Sequence, residues 1–307
     1  MAKLAVFPKA WLDALCVDGT MTLAEWIDLS ARFKVDGLEF YAGFQELADR
    51  RRWSEFRRRV EDQGREIPML CCSPDFTHPD PAFRQRQIDL ERHWIDLTAE
   101  LGGRFCRVLS GQRRPGVRWE DAMNYVVEAI ESCREHAVAR GVTLILENHY
   151  KDGYWEFPEF AQRMPDFVEL VERIEPGPGF EVNFDPSNCL ICGEDPLELL
   201  ERVKDRVVTM HASDRHLEGG TLEDLRRLDQ AGTMGYAKIL KHGAIGEGMN
   251  DYDRIFAILR EVDFDGWISI EDGDNPAISV GEIERSVAFL RAKMETYLPS
   301  RKKEVGQ

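Results

Sequence analysis

Apolar and polar positions alternate over short runs that recur along the whole chain, and longer stretches of helical periodicity lie between them. Alternation with period two puts every second side chain on one face of a strand. The runs Leu4–Phe7, Gly37–Tyr41, Ile67–Cys72, Phe105–Leu109, Thr143–Glu147, Phe180–Asp185, Val207–His211 and Trp267–Glu271 therefore predict eight strands. Between them the pattern predicts helices from Gln45 to Gln63, Pro81 to Leu101 and Trp119 to Arg140, the last two stopped by Gly102-Gly103 and Gly141. Thr22 and Glu25 read as a capping box that opens another helix, and Ser279 and Glu282 as a second box that opens the last. Strands that alternate with helices imply βα units on a parallel sheet. Eight such units, with no GxGxxG after the first strand, favour a closed α/β barrel of the (β/α)8 type over an open dinucleotide-binding sheet.

A barrel of this kind takes about 250 residues, so residues 1–298 are expected to form a single catalytic domain and 299–307 a flexible tail. Strand spacing is even except before the last strand. There about fifty residues, His216 to Phe264, form an extended segment between strands 7 and 8, too long for a standard βα unit. With Gly219, Gly220, Gly232, Gly235, Gly246 and Gly248 it is a candidate lid or substrate-recognition loop.

The ends of four runs carry the chemistry: Glu147 in TLILENH, Asp185 in FEVNFDPSN, His211 in VVTMHASD and Glu271 in WISIEDG. Sidedness groups them. Thr143, Ile145, Glu147 and His149 share one face, as do Asn183 with Asp185, Thr209 with His211, and Ser269 with Glu271, while Leu144, Leu146, Val182, Phe184, Val208, Met210, Ile268 and Ile270 would face the helices. Singly, an acid at a strand end is an ordinary helix N-cap and a lone His an ordinary core residue. Together, three carboxylates and an imidazole at the C-terminal ends of barrel strands make a hard divalent-metal site where such barrels place their chemistry. Arg107 and Glu39 also turn inward and are expected to form a buried pair that holds a ligand carboxylate in place.

Composition narrows the partners. A net charge of −16 excludes a nucleic-acid backbone, whose binding depends on Lys and Arg neutralising phosphates. No apolar run is long enough to span a membrane, and the N-terminus lacks a secretory pattern, so a cytoplasmic protein is expected. Seven cysteines, an odd number and several inside apolar runs, fit packed thiols. Cys189 and Cys192 have CxxC spacing but no second pair to complete a zinc site. The Arg-rich run near Arg50–Arg59 reads as a solvated helix face.

In its motifs LENH, DPSN, HASD, GAIGEGMNDYDRIF and DGWISIED the chain resembles the sugar isomerase/epimerase superfamily of xylose isomerase-like TIM barrels, to which the family-two apurinic endonucleases also belong. The resemblance implies one divalent cation on Glu147, Asp185, His211 and Glu271, Mn²⁺ being expected and Mg²⁺, Co²⁺ or Zn²⁺ the alternatives. It implies an isomerase or epimerase acting on a sugar or sugar-like hydroxy-ketone by proton transfer through a metal-stabilised enediolate, with Glu147 and Glu271 as acid and base. His149 is the alternative proton carrier. The extra histidines of a trinuclear endonuclease site are absent. Two departures concern substrate: Asn188 stands where the ketose epimerases have a substrate-binding His, and Asp214-Arg215 replaces their differently spaced Arg. Further candidate substrate contacts are His78, Lys151 and Trp155, with Tyr41 and Trp119 as aromatic walls. A lyase acting on the same enediolate is the second reading, of the inosose or dehydroshikimate dehydratase type or resembling the α-subunit of C-glycoside deglycosidases. A non-catalytic sugar-binding barrel is the third. The expected partners are a small sugar or cyclic keto-polyol and, in any assembly, a second copy or a small partner subunit.

Overall fold

The structure, a computed structural model, describes residues 1–231 and 238–299. Gly232, Gly235 and residues 300–307 of the expected tail lie outside the described residues. The barrel strands are β1 (Lys3–Val6), β2 (Gly37–Leu38), β3 (Phe40–Tyr41), β4 (Met69–Cys71), β5 (Phe105–Val108), β6 (Thr143–Glu147), β7 (Phe180–Phe184), β8 (Val207–Ala212) and, after a hairpin of β9 (Arg215–Leu217) and β10 (Leu240–His242), β11 (Trp267–Ile270). Their order is β2-β1-β11-β8-β7-β6-β5-β4-β3, with every neighbouring pair parallel.

Nine strands fill eight positions because the predicted second strand is split. β2 pairs with β1 through Ala5 and Val6, β3 pairs with β4 through Leu70 and Cys71, and Glu39 stands between the halves with its N–H donated to the Val6 carbonyl at 3.0 Å. A residue released from both ladders at this point can turn its side chain into the barrel, and Glu39 is fully buried there.

Sequence alternation sets the layers. Leu144, Leu146, Val182, Phe184, Met210, Ile268 and Ile270 are buried in one continuous hydrophobic cluster with the inner faces of the helices. At about 2–5 kcal/mol for a buried Leu→Ala change, such positions hold the barrel together. Val208 is only half-buried, beside a register shift between β7 and β8 at Val182/Asn183. Gly266 serves the same junction: a Cβ there would lie 1.8 Å from the Val208 carbonyl oxygen, so only glycine lets β11 enter alongside β8.

The helices are α1 (Leu12–Cys16), α2 (Leu23–Ser30), α3 (Trp53–Glu61), α4 (Pro81–Glu100), α5 (Trp119–Ala139), α6 (Met164–Arg173), α7 (Pro186–Ile191), α8 (Pro196–Val203), α9 (Leu222–Gln230), α10 (Tyr252–Glu261) and α11 (Pro276–Tyr297). The Thr22–Glu25 capping box forms as expected. Three expectations need correction. The helix predicted over 45–63 is broken into 3-10 turns at Gln45–Ala48 and Arg50–Arg52 before α3, because Asp49 takes an extended backbone and caps the second turn. The last helix starts earlier than Ser279, since Asn275 caps it and Pro276 occupies its first position. The long segment between strands 7 and 8 is not irregular: it holds the antiparallel hairpin β9–β10, the capped helix α9 and the ordinary barrel helix α10.

The Arg-rich run is solvated and ion-paired, Arg57 with Glu61 at 2.7 Å and Arg59 with Asp28 at 2.5 Å. All seven cysteines are free thiols, Cys189 and Cys192 among them. Among the described residues no helix is long and apolar enough to cross a membrane.

Candidate metal centre and active site

Glu147 ends β6, Asp185 follows β7, His211 lies within β8 and Glu271 follows β11, so the parallel register brings all four to the same end of the barrel. All are buried, and each offers a ligand atom within 4.8 Å of the others. Below them Thr209 donates to Asn183 Oδ1 at 2.7 Å, joining the strands that carry His211 and Asp185.

Each ligand is held from outside the cluster. Arg107 donates through Nη1 to Glu147 Oε2 at 2.7 Å and is itself anchored on the Cys72 carbonyl and Ser73 Oγ. Asn188 Nδ2 approaches Glu147 Oε1 at 3.4 Å. Glu39 Oε1 lies 2.9 Å from His211 Nε2 and accepts from the Cys71 thiol at 2.6 Å. Arg107 and Glu39 thus do not pair with each other as expected: the guanidinium holds a carboxylate and the carboxylate holds the imidazole. With Nε2–H given to Glu39, His211 turns Nδ1 toward Glu147 Oε1 at 3.0 Å and Glu271 Oε2 at 2.6 Å. This is the arrangement that fixes a metal-binding histidine's tautomer.

Asp185 is held through one of its two carboxylate oxygens. Its Oδ1 caps the short helix α7 by accepting from Ser187 N and Asn188 N, and takes the Ser213 hydroxyl at 2.6 Å. A reciprocal pair of bonds with Asn148, at 2.7 and 2.8 Å, fixes its backbone. The N-cap reading of this residue is therefore met, and its Oδ2 is left available to an ion.

Electrostatics fit a cation. Burial and then the neighbouring Glu147 and Glu271 charges push Asp185 up to about 6, the response of a carboxylate crowded by others. Burial alone would raise Glu147, but His211 and Arg107 outweigh it and hold that carboxyl at about 2. Burial opposes protonation of His211, yet Glu39, Glu147 and Glu271 overcome it and raise its pKa well above the ordinary value. Three clustered carboxylates compete for that one proton. A divalent cation on the same donors would relieve the crowding, and hard oxygens with one imidazole suit such an ion.

Beside the cluster opens a cavity of about 260 Å³, with Glu271, Arg107 and His149 on its inner wall and Lys9, Tyr41, Lys151 and Asp152 around it. Tyr41 donates its hydroxyl to Asp152 Oδ2 at 3.2 Å. Lys9, which the sequence reading missed, pairs with Glu271 Oε1 at 2.7 Å. Its signal was positional, since it lies just past the C-terminal end of β1.

Other expected contacts lie outside the cavity wall. His78 stacks on Phe83 with ring centroids 4.2 Å apart, and its Nδ1 accepts the Asp80 N–H, so it closes the turn into α4. Trp155 is buried beneath its own loop, its N–H bonded to the Asp152 carbonyl. Trp119 lies on α5, its Nε1 donating to Asp166. Arg215 is buried in the hairpin with Nη1 on His242 Nε2 at 2.9 Å, and His242 in turn pairs with Asp272. Asp214 gathers the Gly246, Gly248 and Asn250 N–H groups at 2.9, 3.0 and 3.1 Å. A Cβ on Gly248 would meet Asp214 Oδ1 at 2.2 Å, which accounts for that glycine, while the intervening Glu247 is exposed and pairs with Arg285.

Comparison with known proteins identifies the fold family. The chain is 25% identical over 240 residues to an inosose dehydratase from Geobacillus kaustophilus (strain HTA426), a match covering 76% of this chain and 64% of that protein. It spans between half and two thirds of the length of the curated relatives it matches. Among solved structures it superposes on a D-tagatose 3-epimerase-like protein with a TM-score of 0.74 at 17% identity, over 96% of this chain and 98% of that one. The IOLI protein, solved with a bound zinc atom, gives a TM-score of 0.71 at 14% identity over 98% and 99%. A family model described as xylose isomerase-like TIM barrel matches residues 27–293, which take in all four candidate ligands and eight of the nine barrel strands. With its parallel barrel closed through Glu39 and its acid and imidazole side chains gathered at the strand ends, the chain belongs to the xylose isomerase-like TIM-barrel family.

Proposed function

We propose that this protein is a divalent-metal-dependent lyase: it removes the proton beside the carbonyl of a neutral cyclic keto-polyol, and a β-hydroxyl then leaves. The supporting observation is which groups face the cavity. His149, Lys9 and Glu271 line it, whereas Glu147 is fully buried and occupied by Arg107, His211 and Asn188.

Glu147, Asp185, His211 and Glu271 would hold the cation, which supplies Lewis-acid polarisation of the substrate carbonyl when bound. His149 takes the proton from the adjacent carbon. The electron pair forms the new C=C bond as the β C–O bond breaks, and the departing hydroxide takes a proton from the Lys9 ammonium to leave as water. Arg107 keeps Glu147 ionised and in place, and Tyr41 and Asp152 offer hydrogen bonds to substrate hydroxyls. A cavity of about 260 Å³ is at the small end for ligand pockets and suits a single ring. The dehydratase relative supports this outcome, and the zinc-bound neighbour supports a divalent ion.

Isomerisation or epimerisation is the second reading, favoured by the placement of Glu147 and Glu271 together against His211 Nδ1. It would require Glu147 to exchange a proton while Arg107 holds it. A non-catalytic barrel is disfavoured, because clustered carboxylates are costly to keep without a cation to bind.

Incubating the Mn²⁺-loaded protein with inosose in D₂O separates these readings. Conjugated-enone absorbance, with the hydrogen beside the carbonyl lost to solvent, is expected. Deuterium with a new stereocentre and no enone would replace the lyase by an epimerase. Absence of stoichiometric metal after purification and reloading, with melting unchanged by EDTA, would sink both enzyme readings.

A further inference from the structure

Beside the cavity two buried polar atoms lack a well-formed hydrogen bond, His149 Nδ1 and Glu159 Oε2, and they lie 3.3 Å apart. Among the described residues neither atom has another hydrogen-bonding partner. A buried carboxylate oxygen left without a donor is costly, so each atom is the other's natural partner. We propose that Glu159 is the positioning residue for His149: its carboxylate accepts the His149 Nδ1–H and so fixes the ring in the tautomer whose bare Nε2 faces the cavity. This rests on His149 being the proton carrier of the reaction proposed above.

The surroundings of Glu159 fit the role. Its side chain is wholly buried, and its Oε1 is fixed by two donors from one residue, Ser110 N and Ser110 Oγ, both at 2.9 Å. That leaves Oε2 as the oxygen directed at the ring. Ser110 is in turn held by the Ala161 N–H on its hydroxyl. The Glu159 N–H bonds the carbonyl of Tyr150, next in the chain to His149, at 2.8 Å, and residue 159 forms a bridge to Gln112. The carboxylate and the imidazole are thus carried on segments tied directly to each other and to the loop after β5. Because Nδ1 is buried and His149 contributes to the cavity wall, Nε2 is the nitrogen left to meet substrate. A base needs that nitrogen bare. The opposite assignment, a protonated Glu159 donating to a bare Nδ1, would put the ring proton on Nε2 and leave nothing to accept the substrate's.

The loop sequence ENHYKDGYWEFPEF gives no local signal for this pairing, since Glu159 is ten residues beyond His149 and returns to it through tertiary contacts such as those with Tyr150 and Gly111.

The test reads the tautomer directly. Multiple-bond ¹H–¹⁵N spectra of the full-length, ¹⁵N-histidine-labelled protein, with the ring neutral, are expected to show His149 protonated at Nδ1 and bare at Nε2. In Glu159→Gln the amide oxygen keeps the Ser110 bonds while its NH₂ faces Nδ1, so the proton is expected to move to Nε2. For enone formation from inosose, kcat should then fall by about 10²–10⁴-fold, as for a base locked in the wrong tautomer. KM should stay within about threefold. Ser110→Ala, which removes one of the two bonds on the carboxylate and keeps the backbone one, should retain the Nδ1–H tautomer and lose at most about tenfold in kcat. A bare Nδ1 in the unaltered protein overturns the proposal whatever the activity, and needs no variant to fold. The expected tautomer shift in Glu159→Gln with unchanged kcat also overturns it, by removing His149 from the chemistry. If inosose yields no enone, the reaction proposed above fails, and the spectrum still decides the pairing.

Discussion

The two sides of the barrel are built differently. On one side β6, β7, β8 and β11 run four to six residues and end in all four candidate ligands. On the other β2, β3 and β4 are two or three residues long and carry no ligand, yet Glu39 and Cys71 from that side stand behind His211. Long ladders fix where a ligand's backbone lies. Short, interrupted ones free a residue to reach across the barrel and fix how a ligand's ring is turned. The difference separates the candidate ligands from the residues that orient them.

The largest effect is expected on the ligand side. Asp185→Asn removes one anionic donor and keeps the helix cap, so divalent-metal affinity measured by calorimetry should fall by more than about 100-fold with the fold retained; unchanged affinity would remove Asp185 from the site. On the supporting side Glu39→Gln should weaken metal binding by about 10–100-fold, the usual cost of losing an outer partner of a ligand. Equal losses for the two variants would erase the distinction between the two sides.

The next prediction concerns stability against pH. Glu91, on α4 behind the short strands, is fully buried beside Cys106 Sγ at 3.4 Å. Burial, and then Cys106, raises its carboxyl well above the ordinary 4.5. A carboxyl whose pKa is raised in the folded state contributes most stability below pH 4.5, and that contribution is lost as pH rises toward and through the folded value. Glu91→Gln should therefore melt like the parent at pH 4 and higher than it at pH 8, by about 2–4 °C per kcal/mol relieved. A stabilisation equal at both pH values would show that ionisation is not the cause. Smallest of all, His78→Ala should leave kcat/KM for inosose within about twofold, because His78 closes a turn and does not meet the cavity; a tenfold loss would return it to the substrate site.

What could be read from the sequence follows the same division. Period-two alternation needs only local sterics and a buried face, so the ends of β6, β7, β8 and β11, and with them the clustering of the four candidate ligands, were legible. The split at Glu39 was not, because its run GLEFY looks like one strand, and the break arises only when the ring of strands closes. The start of α11 was misplaced despite a local signal: Asn275-Pro276 is a stronger helix opening than Ser279 with Glu282. Around the cavity Lys151 and Tyr41 lie where expected, and Arg107 holds Glu147. His78, Trp155 and Arg215 do not line it, because loop side chains are placed by partners far away in sequence, such as His242 for Arg215. Lys9 and Glu159 went unseen for the same reason.

One carboxylate described above bears on how this barrel can change. Asp214, immediately past the end of β8, holds the backbone at residues 246, 248 and 250, and Met249 N bonds the Arg215 carbonyl at 2.8 Å. Both ends of the hairpin segment are therefore clasped at one point, while its strands pair with each other and not with the barrel. A loop closed in this way costs little more as it lengthens, about 0.6 kcal/mol for each doubling. Outside the Arg215–His242–Asp272 contacts that reach the residue next to Glu271, the segment can be lengthened or shortened at little cost, so the rim of the site is free to diverge around the four candidate ligands.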